Sequence, residues 1–310
     1  MKSNLDGCLI ECYTAATQQR QLSTEHKVYN MSTQTATVFP IVGALREAVR
    51  FKKASDESWQ PLTESQKTFV QNVYRPVLGD MSKFSDNELR YLASFSHEEI
   101  NTWLKDNGFD IKLEQFQRPT DFGAASIQDV KVEWQDEGTK VEVPDAHNRS
   151  LHKGVKLKSN VTYVQDSSHD FPVAVIQTKN GDIVKMTCTS DNYVSGMQVL
   201  EDVVLYDRIA ERTSFDSISF PMIDLEDKPN ISFLKGMRFS VNGEDMEIAQ
   251  AIQQTFFRMN EKGARVKSAV AIGVRVASIS MPKPQMIIDR PFLLWISRPG
   301  TSSPYFAAYL

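Results

Sequence analysis

The sequence predicts an α+β protein, and three observations carry that prediction. Apolar residues recur at helical spacing through the first 110 residues, whereas from about residue 124 they mostly alternate as in strands. Turn-forming residues separate the strand-like segments. The 310 residues are expected to form one domain. Its parts are a mainly helical region over 1–110, a mainly sheet region over 124–260, a connecting segment over 261–281 and C-terminal strands over 286–310.

The first region is predicted to contain several helices. Residues 5–20 have a helical pattern, residues 27–30 favour a short strand, and a second helix is expected to begin at Ser32 and Thr33. Helical patterning resumes over 68–74. Ser96 is a suitable N-cap for a helix over 97–107, which Asn107 and Gly108 would end. The apolar positions of the second helix are Val38, Val42, Leu45 and Val49.

The sheet region contains seven segments with strand character. Asn180 and Gly181 lie between two of them and indicate a tight hairpin. The segments are 126–134, 139–143, 155–164, 171–177, 183–188, 218–225 and 237–241.

The segment that follows residue 263 has two faces of different character. Residues 260–263 have the pattern of a strand end that turns at a glycine. From residue 264 onward, successive side chains would point to opposite faces of a strand, and the two faces differ in character. One face is uncharged, and the other carries all the basic residues. The uncharged face consists of Ala264, Val266, Ser268, Val270, Ile272, Val274 and Val276. The other consists of Arg265, Lys267, Ala269, Ala271, Gly273 and Arg275. Such a division is typical of a strand with one buried face.

Three stretches resemble landmarks of the serpin family, in the family's order. Residues 286–296, an apolar run interrupted by Pro291, are similar to its C-terminal signature. Residues 248–263 resemble the strand that feeds its hinge, and residues 97–108 resemble its Ile-Asn-x-Trp helix. The resemblance implies three β-sheets, surrounding helices and an exposed reactive loop.

The resemblance has two departures. The part before the Ile-Asn-x-Trp helix is shorter than in full-length serpins, which implies a reduced number of helices, as in the compact intracellular serpins of large DNA viruses. Gln128 stands where the family usually has Asn, and the segment before Trp134 is shortened.

The resemblance implies a suicide mechanism of protease inhibition, in which this chain supplies no catalytic residue, cofactor or metal ligand. The partner would be a serine (or cysteine) protease. After cleavage, the loop would insert into the central sheet as a strand. The hinge and inserting face would be Glu261, Gly263, Ala264, Val266, Ser268, Val270 and Ile272. The alternative is a serpin-fold binding protein that inhibits nothing.

The reactive bond is expected between Ala277 and Ser278, counting from the hinge by the usual family distance. Counting back from Pro291 agrees only if the return segment is short, and otherwise gives Ser280. Ala277 suits a protease with a small primary pocket. The bond between Arg275 and Val276 is the alternative, because a basic residue would attract a trypsin-like protease.

Composition and charge argue against several other classes of function. A formal net charge of −4 offers no basic footprint for nucleic acid or an anionic membrane, and no run of eighteen apolar residues exists. We expect a cytoplasmic monomer without a signal peptide, although export without a leader stays open. Cys188 with His152 or His169 is the pair that an enzyme would use as nucleophile and base, but a packed cysteine is favoured.

Overall fold

The computed structural model describes residues 33–146, 149–165, 167, 169–209, 211–263 and 284–310. The segment from Thr33 to Leu310 is one compact unit. The helix predicted over 5–20 and the strand predicted over 27–30 lie outside the described residues. No helix among the described residues is long and apolar enough to cross a membrane.

The helices that the structure describes lie mostly in the first half of the chain. They are α1 (Val38–Phe51), α2 (Glu64–Phe69), α3 (Arg75–Asp80), α4 (His97–Asp106) and α5 (Gly196–Tyr206), with a π-helical turn at Val70–Tyr74 and 3₁₀ turns at Met81–Lys83 and Ser232–Leu234. The predicted ends of α4 are confirmed, since the Ser96 side chain accepts from the Glu99 amide and Gly108 has a φ of +88°. The predicted start of α1 at Ser32 and Thr33 is wrong.

Seventeen strands are described. They are β1 (Gln34–Ala36), β2 (Leu89–Ser94), β3 (Gly123–Gln128), β4 (Thr139–Pro144), β5 (Leu151–Leu157), β6 (Val161–Val164), β7 (Val173–Gln177), β8 (Ile183–Cys188), β9 (Arg212–Thr213), β10 (Ser217–Pro221), β11 (Ile223–Asp227), β12 (Arg238–Val241), β13 (Glu244–Glu247), β14 (Thr255–Met259), β15 (Gln285–Ile287), β16 (Phe292–Ser297) and β17 (Phe306–Tyr309). Strand β1 occupies the place of the predicted helix start, because it pairs with the C-terminal strand β17.

The strands form one large sheet, one smaller sheet and three two-stranded pairs. The large sheet has the order β1-β17-β16-β8-β7-β6-β9, and the four-stranded sheet has the order β15-β10-β5-β4. The two-stranded pairs are β2–β3, β11–β14 and β12–β13. The hairpin predicted at Asn180 and Gly181 is confirmed, because β7 and β8 pair antiparallel across Gly181, which has a φ of +85°.

Two segments predicted as single strands are each divided between two sheets, and the apolar run around Pro291 is divided in the same way. The segment 155–164 contains the end of β5 and all of β6, separated by a turn in which Asn160 has a φ of +59°. The segment 218–225 contains parts of β10 and β11. The run 286–296 contains parts of β15 and β16, and Pro291 between them has no amide hydrogen to donate to a ladder.

Two hydrophobic clusters support this arrangement. The main core contains the fully buried Trp295, Phe39 and Phe220. A smaller cluster of Ile100, Leu104 and Ile127 lies between α4 and β3. Strand β3 is therefore packed through its odd-numbered residues on the α4 side, and its even-numbered residues face the opposite side.

Candidate functional site

The main candidate site is a cleft between two strand pairs. Residues of β3 and of β14 line the same cavity, which has a volume of about 1680 Å³. In the described part of the chain, β3 forms a ladder with β2 alone, and β14 forms a ladder with β11 alone. Each strand therefore has one edge without a ladder partner. Such edges carry main-chain donors and acceptors that can bind an added strand.

A tight turn over residues 260–263 closes what we call the upper end of the cleft. The Gly263 amide donates to the Asn260 carbonyl at 3.2 Å, and the Asn260 amide donates to the Gly263 carbonyl at 3.1 Å. The Lys262 amide donates to the Asn260 side chain at 2.9 Å. The turn reverses the chain after β14 and directs Gly263 toward the continuation of β3.

Main-chain contacts join the turn to residues that follow β3. Glu133 and Gly263 form an antiparallel bridge. The Trp134 amide donates to the Lys262 carbonyl at 3.4 Å, and its indole Nε1 donates to the Asn260 carbonyl at 2.9 Å. The upper end is thus held mainly by main-chain hydrogen bonds of the kind that join neighbouring strands in a sheet.

Gly263 is required at this position by both conformation and space. Its φ is +94°, a region that side-chain-bearing residues rarely adopt. An added Cβ would lie 2.5 Å from the Val132 carbonyl oxygen and 2.6 Å from the Glu133 Cα. The predicted hinge glycine therefore permits the close approach of the two chain segments.

Glu261, which was also predicted to belong to the hinge, is held from two sides. Its carbonyl accepts from the Gly138 amide at 2.7 Å, and its carboxylate lies 3.1 Å from Lys140 Nζ. Burial opposes its ionisation, but a main-chain amide and the Lys140 ammonium outweigh burial and lower the pKa of Glu261. The charged carboxylate therefore helps to fix the turn beside β4.

The face of β3 toward α1 carries polar groups for which the described residues supply no hydrogen-bond partner. The side-chain oxygen and nitrogen of Gln128 and the hydroxyl of Ser126 are buried, and no hydrogen-bond partner lies within reach among the described residues. Helix α1 passes close beneath, since a Cβ on Gly43 would lie 2.6 Å from Ser126 Oγ. An unpaired buried amide is costly, so Gln128 would be stabilised by a hydrogen bond to a group that enters the cleft.

The lower end of the cleft is crossed by residues 109–114, which we call the strap. Gln254 Oε1 accepts from the Asp110 amide at 2.9 Å, and Gln250 Oε1 accepts from the Glu114 amide at 2.7 Å. An ion pair joins Lys228 to Asp110 at 2.8 Å. The strap follows α4, so it connects the β3 side of the cleft to the chain that leads into β14.

A third glutamine of this stretch, Gln253, binds Thr37 at the start of α1 and not the strap. Gln253 Nε2 donates to the Thr37 carbonyl at 2.9 Å and to Thr37 Oγ1 at 2.7 Å. Thr37 Oγ1 also lies 3.0 Å from Thr255 Oγ1. The N-terminal end of α1 is thereby fixed to the start of β14.

The structure brings together only part of the predicted site. Glu261 and Gly263, two of the predicted hinge residues, lie at the upper end of the cleft. The remaining predicted positions lie outside the described residues. They are Ala264, Val266, Ser268, Val270 and Ile272 of the inserting face, and Arg275, Val276, Ala277 and Ser278 of the two candidate reactive bonds.

Cys188 has the properties of a packing residue. Burial and the charge of Asp289 raise the pKa of its thiol to about 11, so the thiol stays protonated at neutral pH. Its Sγ lies 3.8 Å from the Ile287 carbonyl. His152 lies beside Ser150 and Asp145, and the His169 ring packs on Tyr206.

Sequence reasoning missed the three glutamines at the lower end. Gln250, Gln253 and Gln254 stand in a segment read as part of a strand, but β14 begins only at Thr255. Three amides within five residues, directly before an apolar strand, were the available signal. Their targets are main-chain groups of the strap and of Thr37, which the sequence does not indicate.

Comparisons with known proteins agree with this architecture. A family model for serpins, described as serine protease inhibitors, matches residues 198–310. The native structure of the thermophilic serpin tengpin aligns with a TM-score of 0.57 and 14% identity, covering 100% of this chain and 95% of tengpin.

Two further structures show the same fold. Serpin48 from the insect Tenebrio molitor aligns with a TM-score of 0.52 and 13% identity, covering 99% of each chain. Human thyroxine-binding globulin in complex with thyroxine aligns with a TM-score of 0.56 and 12% identity, covering 95% of each chain. No curated protein sequence matches the chain.

Proposed function

We propose that the chain is a serpin and that it inhibits a protease as a suicide substrate. The observation that carries this proposal is the position of Gly263. It pairs antiparallel with Glu133 next to two strand edges that have no ladder partner in the described part of the chain. A segment that continued from Gly263 along β3 would enter the cleft as a new strand between β3 and β14.

The proposed reaction uses the target's own chemistry. The nucleophile of the protease attacks the carbonyl of Ala277, the bond to Ser278 breaks, and the new amino terminus leaves with a proton. The freed segment that begins at Ala264 then inserts into the cleft and draws the acylated protease with it. Distortion of the protease before the acyl bond is hydrolysed would trap the complex.

The physical drive for insertion would come from two sources. Uncharged residues of the loop would leave water and become buried in the cleft above α1. They include Val266, Val270 and Ile272. The open edges of β3 and β14 would gain main-chain hydrogen bonds. An intact loop is anchored at both ends, so insertion is expected only after cleavage.

A non-inhibitory binding function is the second candidate, and the strap favours it. Residues 109–114 cross the lower end of the cleft and are held by Gln250 and Gln254. A strand that entered from above would have to displace the strap or stop short of it. One structural neighbour, human thyroxine-binding globulin, is described in complex with the small molecule thyroxine.

Incubation with proteases separates the two functions. An elastase and a trypsin represent the two candidate reactive bonds, and denaturing electrophoresis after boiling detects a covalent complex. We expect a complex with the elastase and a new N-terminus at Ser278 by mass spectrometry. An N-terminus at Val276 would support the alternative bond, and cleavage before Val270 would contradict both.

The thermal midpoint of the cleaved chain provides a second test. Insertion should raise it strongly above that of the intact chain. Cleavage without a complex and without any rise in midpoint would exclude the inhibitory mechanism and favour the binding function.

A further inference from the structure

We propose that the cleft binds a small molecule, a long-chain primary carboxamide, and that Gln128 pairs with its head group. Gln128 lines the same cavity as the apolar side chains of α1. The oxygen and the nitrogen of its side-chain amide are both buried, and neither has a hydrogen-bond partner among the described residues. Binding of this ligand is independent of whether the chain inhibits a protease.

The head group follows from the two unpaired atoms of the Gln128 amide. The oxygen accepts hydrogen bonds, and the nitrogen donates them. A carboxylate offers acceptors only and would leave the Gln128 oxygen unpaired. An ammonium offers donors only and would leave the nitrogen unpaired. A primary carboxamide offers both, so it can form a pair of N–H···O bonds with Gln128 and satisfy both buried atoms.

The rest of the cavity favours an apolar tail. Ala44 and Ala48, one turn apart on α1, present only methyl groups to it, and larger apolar side chains stand beside them. The Trp59 indole already donates to the Leu45 carbonyl at 3.3 Å, so its ring offers an apolar surface. The volume of about 1680 Å³ exceeds the roughly 300–1,000 Å³ of pockets for drug-sized ligands, which leaves room for a long alkyl chain. The larger side chains are Ile41, Leu45, Trp59, Leu234 and Phe239.

Ser126 lies on the same face of β3 but is not a suitable anchor. Its hydroxyl is buried and has no hydrogen-bond partner among the described residues. A Cβ added to Gly43 would lie 2.6 Å from this hydroxyl, so the main chain of α1 covers it closely. A head group therefore has space beside Gln128 and not beside Ser126, which makes Ser126 a matched control.

Arg90 represents the competing choice of an anionic head group. It lines the same cavity, and its Nε is buried without a hydrogen-bond partner among the described residues. Arg90 pairs with Ile127 in the β2–β3 ladder, so it lies on the α4 side, opposite to Gln128. Its Nη1 donates to the Asn107 side chain at 2.7 Å. A carboxylate ligand would be bound on that side, and the test separates the two sides.

Calorimetric titration of the intact, full-length chain tests the head group. Oleamide, oleic acid and oleylamine share one alkyl chain and differ only in the head, and each is used below its critical micelle concentration. We expect oleamide to bind about tenfold more tightly than the other two, because only it satisfies both atoms of Gln128. Equal affinities of all three, or no binding of oleamide, would overturn the proposal.

Variants then identify the residue that binds the head. Gln128→Met keeps the length of the side chain and should abolish the preference for oleamide, while the tail still binds. Gln128→Leu repeats this test with a second apolar shape. Ser126→Ala should leave the preference unchanged. Ala48→Leu fills space beside α1 and should weaken oleamide, oleic acid and oleylamine by the same factor.

Two results would place the head group elsewhere. A preference for oleic acid that is lost in Arg90→Gln would assign it to the α4 side and contradict the role of Gln128. A preference for oleamide that survives both Gln128 variants would assign it to the main-chain groups of the open strand edges, which also overturns the proposal. Covalent complexes with proteases are measured separately, so either result leaves the proposed inhibition standing.

Discussion

The two ends of the cleft are closed by different kinds of contact. At the upper end, the turn over 260–263 meets the continuation of β3 through main-chain contacts and the close approach at Gly263. At the lower end, side-chain amides of Gln250 and Gln254 hold the strap. The upper closure already resembles a strand pair that an entering segment could extend. The lower end is closed by side-chain hydrogen bonds, and a strand that reached this end would have to break them.

This difference assigns the two ends different roles in the proposed mechanism. Main-chain pairing at the upper end sets where a strand enters and in which register. Side-chain contacts at the lower end set how far it can travel before the strap must detach. Substitutions at the upper end should therefore affect entry, and substitutions at the lower end should affect local opening.

The largest effect is expected from a charge on the inserting face close to the upper end. In the proposed mechanism, Val266→Arg would bury an unpaired charge on the predicted inserting face and oppose insertion by several kcal/mol. We expect loss of the covalent complex with an unchanged rate of loop cleavage, measured by electrophoresis over time. Arg265→Glu, on the exposed face, is the control and should retain the complex. Equal effects of both substitutions would contradict the facing assignment.

A smaller but clear effect is expected at the hinge glycine. Gly263→Ala combines an unfavourable φ, worth about 1–3 kcal/mol, with overlap against the Val132 carbonyl. Gly236→Ala is the matched control, because Gly236 has a φ of +84° and no atom within 4 Å of an added Cβ. Unfolding in denaturant should show a larger loss for Gly263→Ala. Equal losses would mean that the upper end tolerates separation of the two segments.

The lower end is expected to respond locally. Gln254→Leu removes the acceptor of the Asp110 amide, a net contribution of about 0.5–1.5 kcal/mol. Amide hydrogen exchange should become faster at Asp110 and stay unchanged at Trp134. Gln253→Leu serves as the control, since Gln253 binds Thr37 and not the strap. Faster exchange at both ends in the Gln254 variant would show that the two closures open together.

The smallest effect concerns pH at the upper end. The pKa of Glu261 is lowered in the folded chain, so the charged carboxylate stabilises the fold at pH values above its ordinary pKa of 4.5. This contribution is lost as the pH falls from 4.5 through the lower folded value. Glu261→Gln should lack it, so the difference in thermal midpoint between the two proteins should shrink below pH 4.5. A constant difference would contradict a role for the Lys140 pair.

Local patterns predicted several elements because their causes lie within a few residues. The N-cap at Ser96, the glycine end of α4 and the hairpin at Gly181 each depend on neighbouring main-chain groups. The division of the segment 155–164 was missed because apolar alternation is the same on both sides of a sheet boundary. The turn near Asn160 that separates β5 from β6 depends on where the two sheets lie.

Residues 260–263 of the candidate site also show that local patterns predict a turn but not its long-range contacts. A glycine after a strand is visible in the sequence, and so is the two-faced pattern after Gly263. That Gly263 approaches Glu133 closely depends on residues far apart in the chain.

By itself, the sequence determined the alternation that makes the segment from Ala264 suited to a sheet, the turn at Gly263 and the serpin landmarks, because side-chain periodicity and backbone preference are local properties. Only the tertiary structure decided that β3 and β14 present open edges to one cavity, that Gln128 is buried without a partner among the described residues, and that the glutamines before β14 hold the strap. Each of these depends on which distant main-chain groups come within hydrogen-bond distance, and that distance is set by the packing of whole elements.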